Sequence, residues 1–111
     1  VKAFDVDSWA YENTIENFER NNVKDAIIEC KGVESIEGEK YDIVIANINR
    51  NILLASMNQF ANSLDKDGVL LLSGIYENDI DIITRCASQY KLKFISFREK
   101  NNWVSCKFIS E

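Results

Sequence analysis

Histidine and proline are both missing from these 111 residues. Losing imidazole removes the commonest general base, the Ser-His-Asp arrangement and the usual zinc ligand at once. Glycine is scarce as well: Gly32, Gly38, Gly68 and Gly74 are scattered, so no glycine-rich turn is present to cradle the charged part of a nucleotide. No apolar run approaches the roughly 18 to 20 residues that would cross a bilayer, so no membrane partner is expected. Cys30, Cys86 and Cys106 are odd in number, far apart and without a CxxC pair. Free thiols filling core space in a reducing cytoplasm are the expectation. Positive charge is in the minority, 13 Lys+Arg against 18 Asp+Glu, for a net charge of -5. Such a surface repels phosphate backbones, so direct nucleic-acid binding is not expected, and a basic protein is the better electrostatic match.

Hydrophobic residues make up 46% of the chain, enough for a globular domain with a modest core. Strand and helix signals alternate. "VKAFDV" (1–6) reads as a strand ending in acid. "DSWAYENTIENFERNN" (7–22) reads as a helix capped by Asp7 or Ser8 and stopped by the asparagine pair. "DAIIEC" (25–30) is a second strand, "KGVESIEGEK" (31–40) a loop with one short turn, and "YDIVIAN" (41–47) a third strand. Residues 50–68 read as a helix with Leu53, Met57, Phe60, Ala61 and Leu64 on one face. "VLLLSG" (69–74) is short and fully apolar, the pattern of a central strand covered on both faces. Residues 77–90 form another helix with Ile80, Ile83, Ala87 and Tyr90 aligned. The tail changes character: "KLKFISFREK" and "WVSCKFIS" flank Asn101-Asn102, a pair suited to a tight hairpin turn. In the second of these, Val104, Cys106 and Phe108 alternate with polar residues.

The alternation predicts a three-layer α/β domain, mostly parallel, with an antiparallel C-terminal hairpin. Such folds bind ligands at the carboxyl ends of their strands. Two residues stand there. Asp5 follows the apolar residues of the first strand. It either caps the next helix or accepts hydrogen bonds from ribose hydroxyls; Asp7 and Ser8 suffice for the cap, which leaves Asp5 spare. Asn47 ends the third strand. It either satisfies loop backbone groups or offers its amide oxygen to a substrate N–H. Asn49 and Asn51 read as turn and helix-cap residues. Trp9 and Trp103 read as packing residues ahead of substrate-entrance residues, Tyr41 and Tyr76 as residues near strand ends, with a cleft-facing Tyr76 as the lesser alternative, and Glu12, Glu16 and Glu19 as a solvated helix face.

"FDVDSWAYENTIENFERNNV", "YDIVIANINRNIL", "LLLSGIYENDI" and "REKNNWVSCKF" together resemble the bacterial methyltransferases of ribosomal protein L-eleven, in the form found in the Bacteroides group. The "D-V-D-x-x-A" opening is shared by many class I methyltransferases. "VIANI" before a helix, then "LSGI", then "W-V" in the last strand, is more specific. The resemblance covers essentially the whole chain. It implies a Rossmann-like class I fold, S-adenosylmethionine as cofactor, and methylation of lysine side chains and the N-terminal amine of a basic ribosomal protein. Carried over, Asp5 would bind the ribose hydroxyls, Val6 would lie beside the adenine, and Val33 would fall in the adenine-side loop. Asn47, as the catalytic residue, and Ile48 would border the methionine part and the incoming amine. That family's first strand, glycine-rich loop and recognition domain are not in this sequence. The chain is therefore expected to be the C-terminal portion of a catalytic domain, inactive alone, with bare sheet edges that invite association. Competing readings are a class I methyltransferase for nucleic acid or a small molecule, and a non-catalytic module keeping the fold. The nucleic-acid enzymes often carry Asn-Pro-Pro-aromatic at the strand end, which a proline-free acidic chain does not match. A phospho-receiver domain also alternates βα, but "LLLSG" lacks the lysine it needs.

Overall fold

The structure is a computed structural model that describes residues 1–111, and these divide into two units, 1–35 and 36–111. In the first unit, β1 (Lys2–Phe4) pairs in parallel with β2 (Ile27–Glu29) across helix α1 (Ser8–Arg20). Local chemistry sets these boundaries. The Asp7 carboxylate accepts from Trp9 N at 3.0 Å and caps α1, while Asn21 closes it and Asn22 turns the chain at φ 57°. The helix buries no residue fully, and Glu12, Glu16 and Glu19 are exposed, as its sequence predicts. A small ion network adds to the β1–β2 ladder. Lys2 Nζ reaches Glu29 Oε1 at 3.2 Å and the Ser35 carbonyl at 2.9 Å, and Lys31 adds 2.9 Å to Glu29 Oε2. The two ammonium groups, Lys31 first, hold the Glu29 carboxyl below its usual value.

The second unit contains β3 (Tyr41–Asn47), α2 (Arg50–Asn62), β4 (Leu64–Tyr76), α3 (Ile80–Ser88), β5 (Leu92–Lys100) and β6 (Trp103–Ser110), with a 3-10 turn, Glu77–Asp79, leading into α3. The sheet order is β3-β4-β6-β5. β3 and β4 are parallel; β6 is antiparallel to both β4 and β5. The hairpin turn is as expected, with Asn101 and Asn102 both at positive φ, 53° and 70°. Helices α2 and α3 cover one face. There Leu70 and Leu72 sit opposite Val44 and Ala46 on one side and Phe108 and Cys106 on the other, with Leu53, Met57, Phe60, Ile83 and Ala87 closing the core from the helices. No helix is long and apolar enough to cross a membrane.

Two expectations need correction. The helix anticipated over 50–68 ends at Asn62. Ser63 caps it, its hydroxyl bonding the Phe60 carbonyl at 2.9 Å, and its own carbonyl accepts from Tyr41 N at 2.7 Å. That bond draws Leu64 into the ladder opposite Tyr41, so Leu64 is buried as a strand residue, and Asp67 at φ 66° absorbs the turn beyond it. The second concerns "VLLLSG". Leu70 and Leu72 are fully buried, but Leu71 is 36% exposed and the neighbouring Ile45 is 74% exposed. The apolar run is thus covered on its helix side only; Ile43, Ile45 and Leu71 form an open apolar face. Phe108→Ala is expected to cost about 3 to 5 kcal/mol, the usual range for emptying an aromatic core site. Ile45→Ser stays within about 0.5 kcal/mol. Urea unfolding followed by circular dichroism measures both; similar losses would mean that the face bearing Ile45 is covered after all.

Candidate functional site

The link from β3 to α2 shows why asparagines gather where a hydrophobic strand ends. Asn49 is the helix cap: its Oδ1 accepts from Ile52 N at 3.0 Å, and its carbonyl accepts from Leu53 N. Asn51 already lies inside the helix and does not cap it; its Oδ1 is 3.4 Å from Arg50 Nε. Asn47 is therefore not needed for capping. It is the last residue of β3, opposite Ser73 of β4, and its side chain is exposed. It lines a cavity of about 670 Å³ with Ser73, Gly74, Trp103 and three charged residues, Arg98, Glu99 and Lys100. Ile48, the next residue, is half-buried.

Trp103 belongs to this cavity and not to the core. The indole is 51% exposed and stacks on Tyr76 with ring centroids 4.7 Å apart. The packing expected for Trp103 is thus a surface stack beside Asn47, while Trp9 is simply exposed on α1. Tyr76 also lines a second cavity, about 500 Å³, with Asn49, Arg50, Asn78 and Asp79; Gly74 borders both.

Two charged arrangements here were not legible in the sequence. Asp79 is buried and binds in two directions: Oδ1 accepts from Arg50 Nη1 at 3.1 Å, and Oδ2 accepts from Tyr76 N at 3.1 Å. It ties the first residue of α2 to the last of β4, the two segments that flank Asn47 and Gly74. Residues 77–79 read only as the start of a helix, and nothing local marks Asp79 as different from Glu77. The second is an acid pair. Glu99, at the cavity wall, hydrogen-bonds Glu77, and that bond together with the charge of Glu77 raises the Glu99 carboxyl above its ordinary value. Twenty-two residues separate the two acids, so only the β4–β6–β5 register reveals them.

In the first unit, Asp5 and Val6 follow β1, and Val33 begins the 3-10 turn Val33–Ile36 after β2. Asp5 does not cap α1. Its Oδ1 accepts from Asp7 N at 2.9 Å, orienting the residue that does, and its other carboxylate oxygen stays available. Val6 is 74% exposed, and its carbonyl lies 3.8 Å from Cys30 Sγ, beside the bond from Asp5 N to the Glu29 carbonyl that continues the ladder. Val33 is half-buried. Asp5, Val6, Asn47 and Ile48 thus stand at or just past the carboxyl end of a strand, and Val33 lies in the turn beyond β2. The cysteines are unpaired, and no cluster of three or more Cys, Asp or Glu residues is arranged to hold a metal.

Known proteins resemble this chain in sequence and in fold. A sequence profile described as ribosomal protein L11 methyltransferase (PrmA) matches residues 1–111. The chain belongs to the ribosomal protein L11 methyltransferase family. The Bacteroides fragilis protein of that name is 41% identical over 108 residues, which is 96% of this chain and 39% of that protein. The chain thus spans well under half the length of such relatives. Among solved structures, the ribosomal protein L11 methylase of Lactobacillus delbrueckii subsp. bulgaricus superposes with a TM-score of 0.91 at 21% identity, over all of this chain and 58% of that one. The N-methyltransferase NodS of Bradyrhizobium japonicum, solved with S-adenosyl-L-homocysteine, gives 0.75 at 9% identity, over 98% of this chain and 65% of that one. The last two establish the class I methyltransferase fold with its antiparallel C-terminal hairpin.

The acid pair makes a pH prediction. A carboxyl whose folded value exceeds its unfolded 4.5 binds its proton more tightly in the folded state. Its stabilising share is present below about 4.5 and is lost as pH rises through the raised value. Glu99→Gln removes that loss, so the melting temperature of the variant gains on that of the unaltered protein between pH 4 and pH 7. A difference that stays constant across this range would show that the two acids do not meet.

Proposed function

We propose that this chain is the C-terminal portion of the catalytic domain of an S-adenosylmethionine-dependent protein methyltransferase. Its substrates would be lysine side chains and the N-terminal amine of ribosomal protein L11, a basic partner met in the cytoplasm. One observation carries the reading: in a chain that matches the family along its whole length, a neutral asparagine with no capping duty ends β3 beside an aromatic-walled cavity. The portion status draws support from the relatives' greater length.

Taken unit by unit, the residues offer the kinds of group that the cofactor would need. Asp5 is an exposed carboxylate with an oxygen available for a ribose hydroxyl, and Val6 beside it offers an exposed apolar surface for adenine. Val33 would extend the adenine side, and Asn47 and Ile48 would border the methionine part. When bound, the cofactor supplies the methyl group, the leaving group and the positive charge. The chain's own residues have two tasks. One is to hold the amine in line, which is worth up to about 7 to 11 kcal/mol. The other is to receive the amine as a neutral base, although a lysine normally holds its proton up to about pH 10.4. The Asn47 amide oxygen accepts one N–H and so aims the nitrogen lone pair without adding charge. Trp103, held by its stack on Tyr76, gives the cavity an aromatic face against which the lysine chain can lie. Farther out, the net charge of -5 attracts a basic protein.

Asn47→Asp tests this chemistry in the full-length enzyme. The carboxylate keeps the shape of the side chain but stabilises the ammonium, so kcat should fall about 100-fold or more, with Asn47→Ser less impaired. Equal turnover by Asn47→Asp would remove Asn47 from the reaction. For Asp5, titration calorimetry with S-adenosylhomocysteine is the measure. Asp5→Ala should weaken binding by about 10- to 100-fold, the worth of a hydrogen bond to a charged group, and unchanged affinity would dissociate Asp5 from the ribose.

A further inference from the structure

Gly74 and Gly38 share a backbone conformation and differ in surroundings. Both have a strongly positive φ, +80° and +78°, a region that side chains other than those of Asn and Asp rarely adopt. A Cβ at position 38 would meet nothing within 4 Å. A Cβ at position 74 would collide with the Asn47 amide oxygen, and it would lie 3.6 Å from the Ile48 carbonyl oxygen. The β4–β6 register also shifts between Leu72 and Ile75, around Gly74. The carboxamide of Asn47 therefore occupies the space that any side chain at position 74 would take.

We infer that Gly74 is a positioning residue: the bulge in β4 presents a bare Cα on which the Asn47 carboxamide rests, and this seat sets the direction of its amide oxygen. The inference rests on the assignment of Asn47 to the incoming amine and adds the group that aims it. Ser73 opposite Asn47 holds the two backbones in register, so the distance between the seat and the carboxamide is set by the β3–β4 ladder. Asn47 is exposed and its carboxamide turns about two torsions. A methyl group at position 74 is thus relieved by rotating the carboxamide and not by moving the sheet. The damage appears in the aim of Asn47, over and above the backbone strain that a substitution at Gly38 shares.

The test is a set of variants of the full-length enzyme, Gly74→Ala, Asn47→Ala, the double variant and Gly38→Ala, with kinetics and with the Asn47 side-chain NH₂ signals of an asparagine-labelled sample. Gly74→Ala should move those signals and lower kcat about 100-fold, the scale of a small misplacement of a reacting group, with little change in KM for the cofactor. In the Asn47→Ala background the same substitution should cost no more than about 2-fold, because the two changes share one effect. Gly38→Ala should leave both the signals and kcat unchanged. Should Gly74→Ala fold poorly, Gly74→Asn brings the same Cβ on a residue that tolerates positive φ, with the same expectations. Unmoved signals in a folded Gly74 variant, or equal losses of kcat with and without Asn47, would overturn the inference. If Asn47→Ala alone leaves kcat unchanged, the role of Asn47 in the reaction falls instead, and the NH₂ signals still decide whether Gly74 seats the carboxamide.

Discussion

The register of β4 against its two neighbours is the constraint on which the second unit depends. Leu70 and Leu72 enter the core only while they face Val44 and Ala46 in β3 and Phe108 and Cys106 in β6. A slip of one residue would exchange Leu70 and Leu72 for Leu71 and Ser73, turning the buried row out to solvent. Burial of those side chains, each worth about 1.5 to 3 kcal/mol, fixes the alignment far more firmly than any polar contact nearby. The same alignment places Asn47 opposite Ser73, next to Gly74, and Trp103 opposite Tyr76. The site geometry is thus a by-product of core packing.

Polar chemistry then refines what the core has aligned. Asp79 joins the start of α2 to the end of β4, so that the segments on either side of the cavity are held together and not merely adjacent. Asn49 takes the capping duty and leaves Asn47 unencumbered. Glu99 stands on the wall of the same cavity as Asn47, between Arg98 and Lys100, and pairs with Glu77. Asn47 is thus a neutral acceptor among charges of both signs, on a chain whose net charge of -5 favours the approach of a basic protein. In the first unit Val6, Trp9 and Ile27 are exposed, and the β1–β2 ladder is joined by the Lys2–Glu29–Lys31 network.

Much of this was readable residue by residue. Asp7 before "SWAYENTIENFER" predicted the start of α1, Asn21-Asn22 its stop, and Asn101-Asn102 the hairpin, because capping and positive φ are decided within a few residues. The seven residues of β3 were legible in full. The end of α2 was not, since "SLDKDG" is compatible with a helix until Leu64 is offered a partner in Tyr41. Nor was the open face of β4 legible: an apolar run announces that it is prepared to be covered, and not which elements cover it.

By itself, then, the sequence determined the order of elements, the family and the residues that stand at strand ends, because each follows from local preference or from motif letters. Only the tertiary structure decided that Trp103 stacks beside Asn47, that Asp79 ties α2 to β4, that Glu99 meets Glu77, and that Gly74 leaves room for the Asn47 amide. These pairs lie 20 to 60 residues apart or cross between strands. Their meeting depends on ladder register and burial, which are properties of the packed sheet and not of any short stretch of chain.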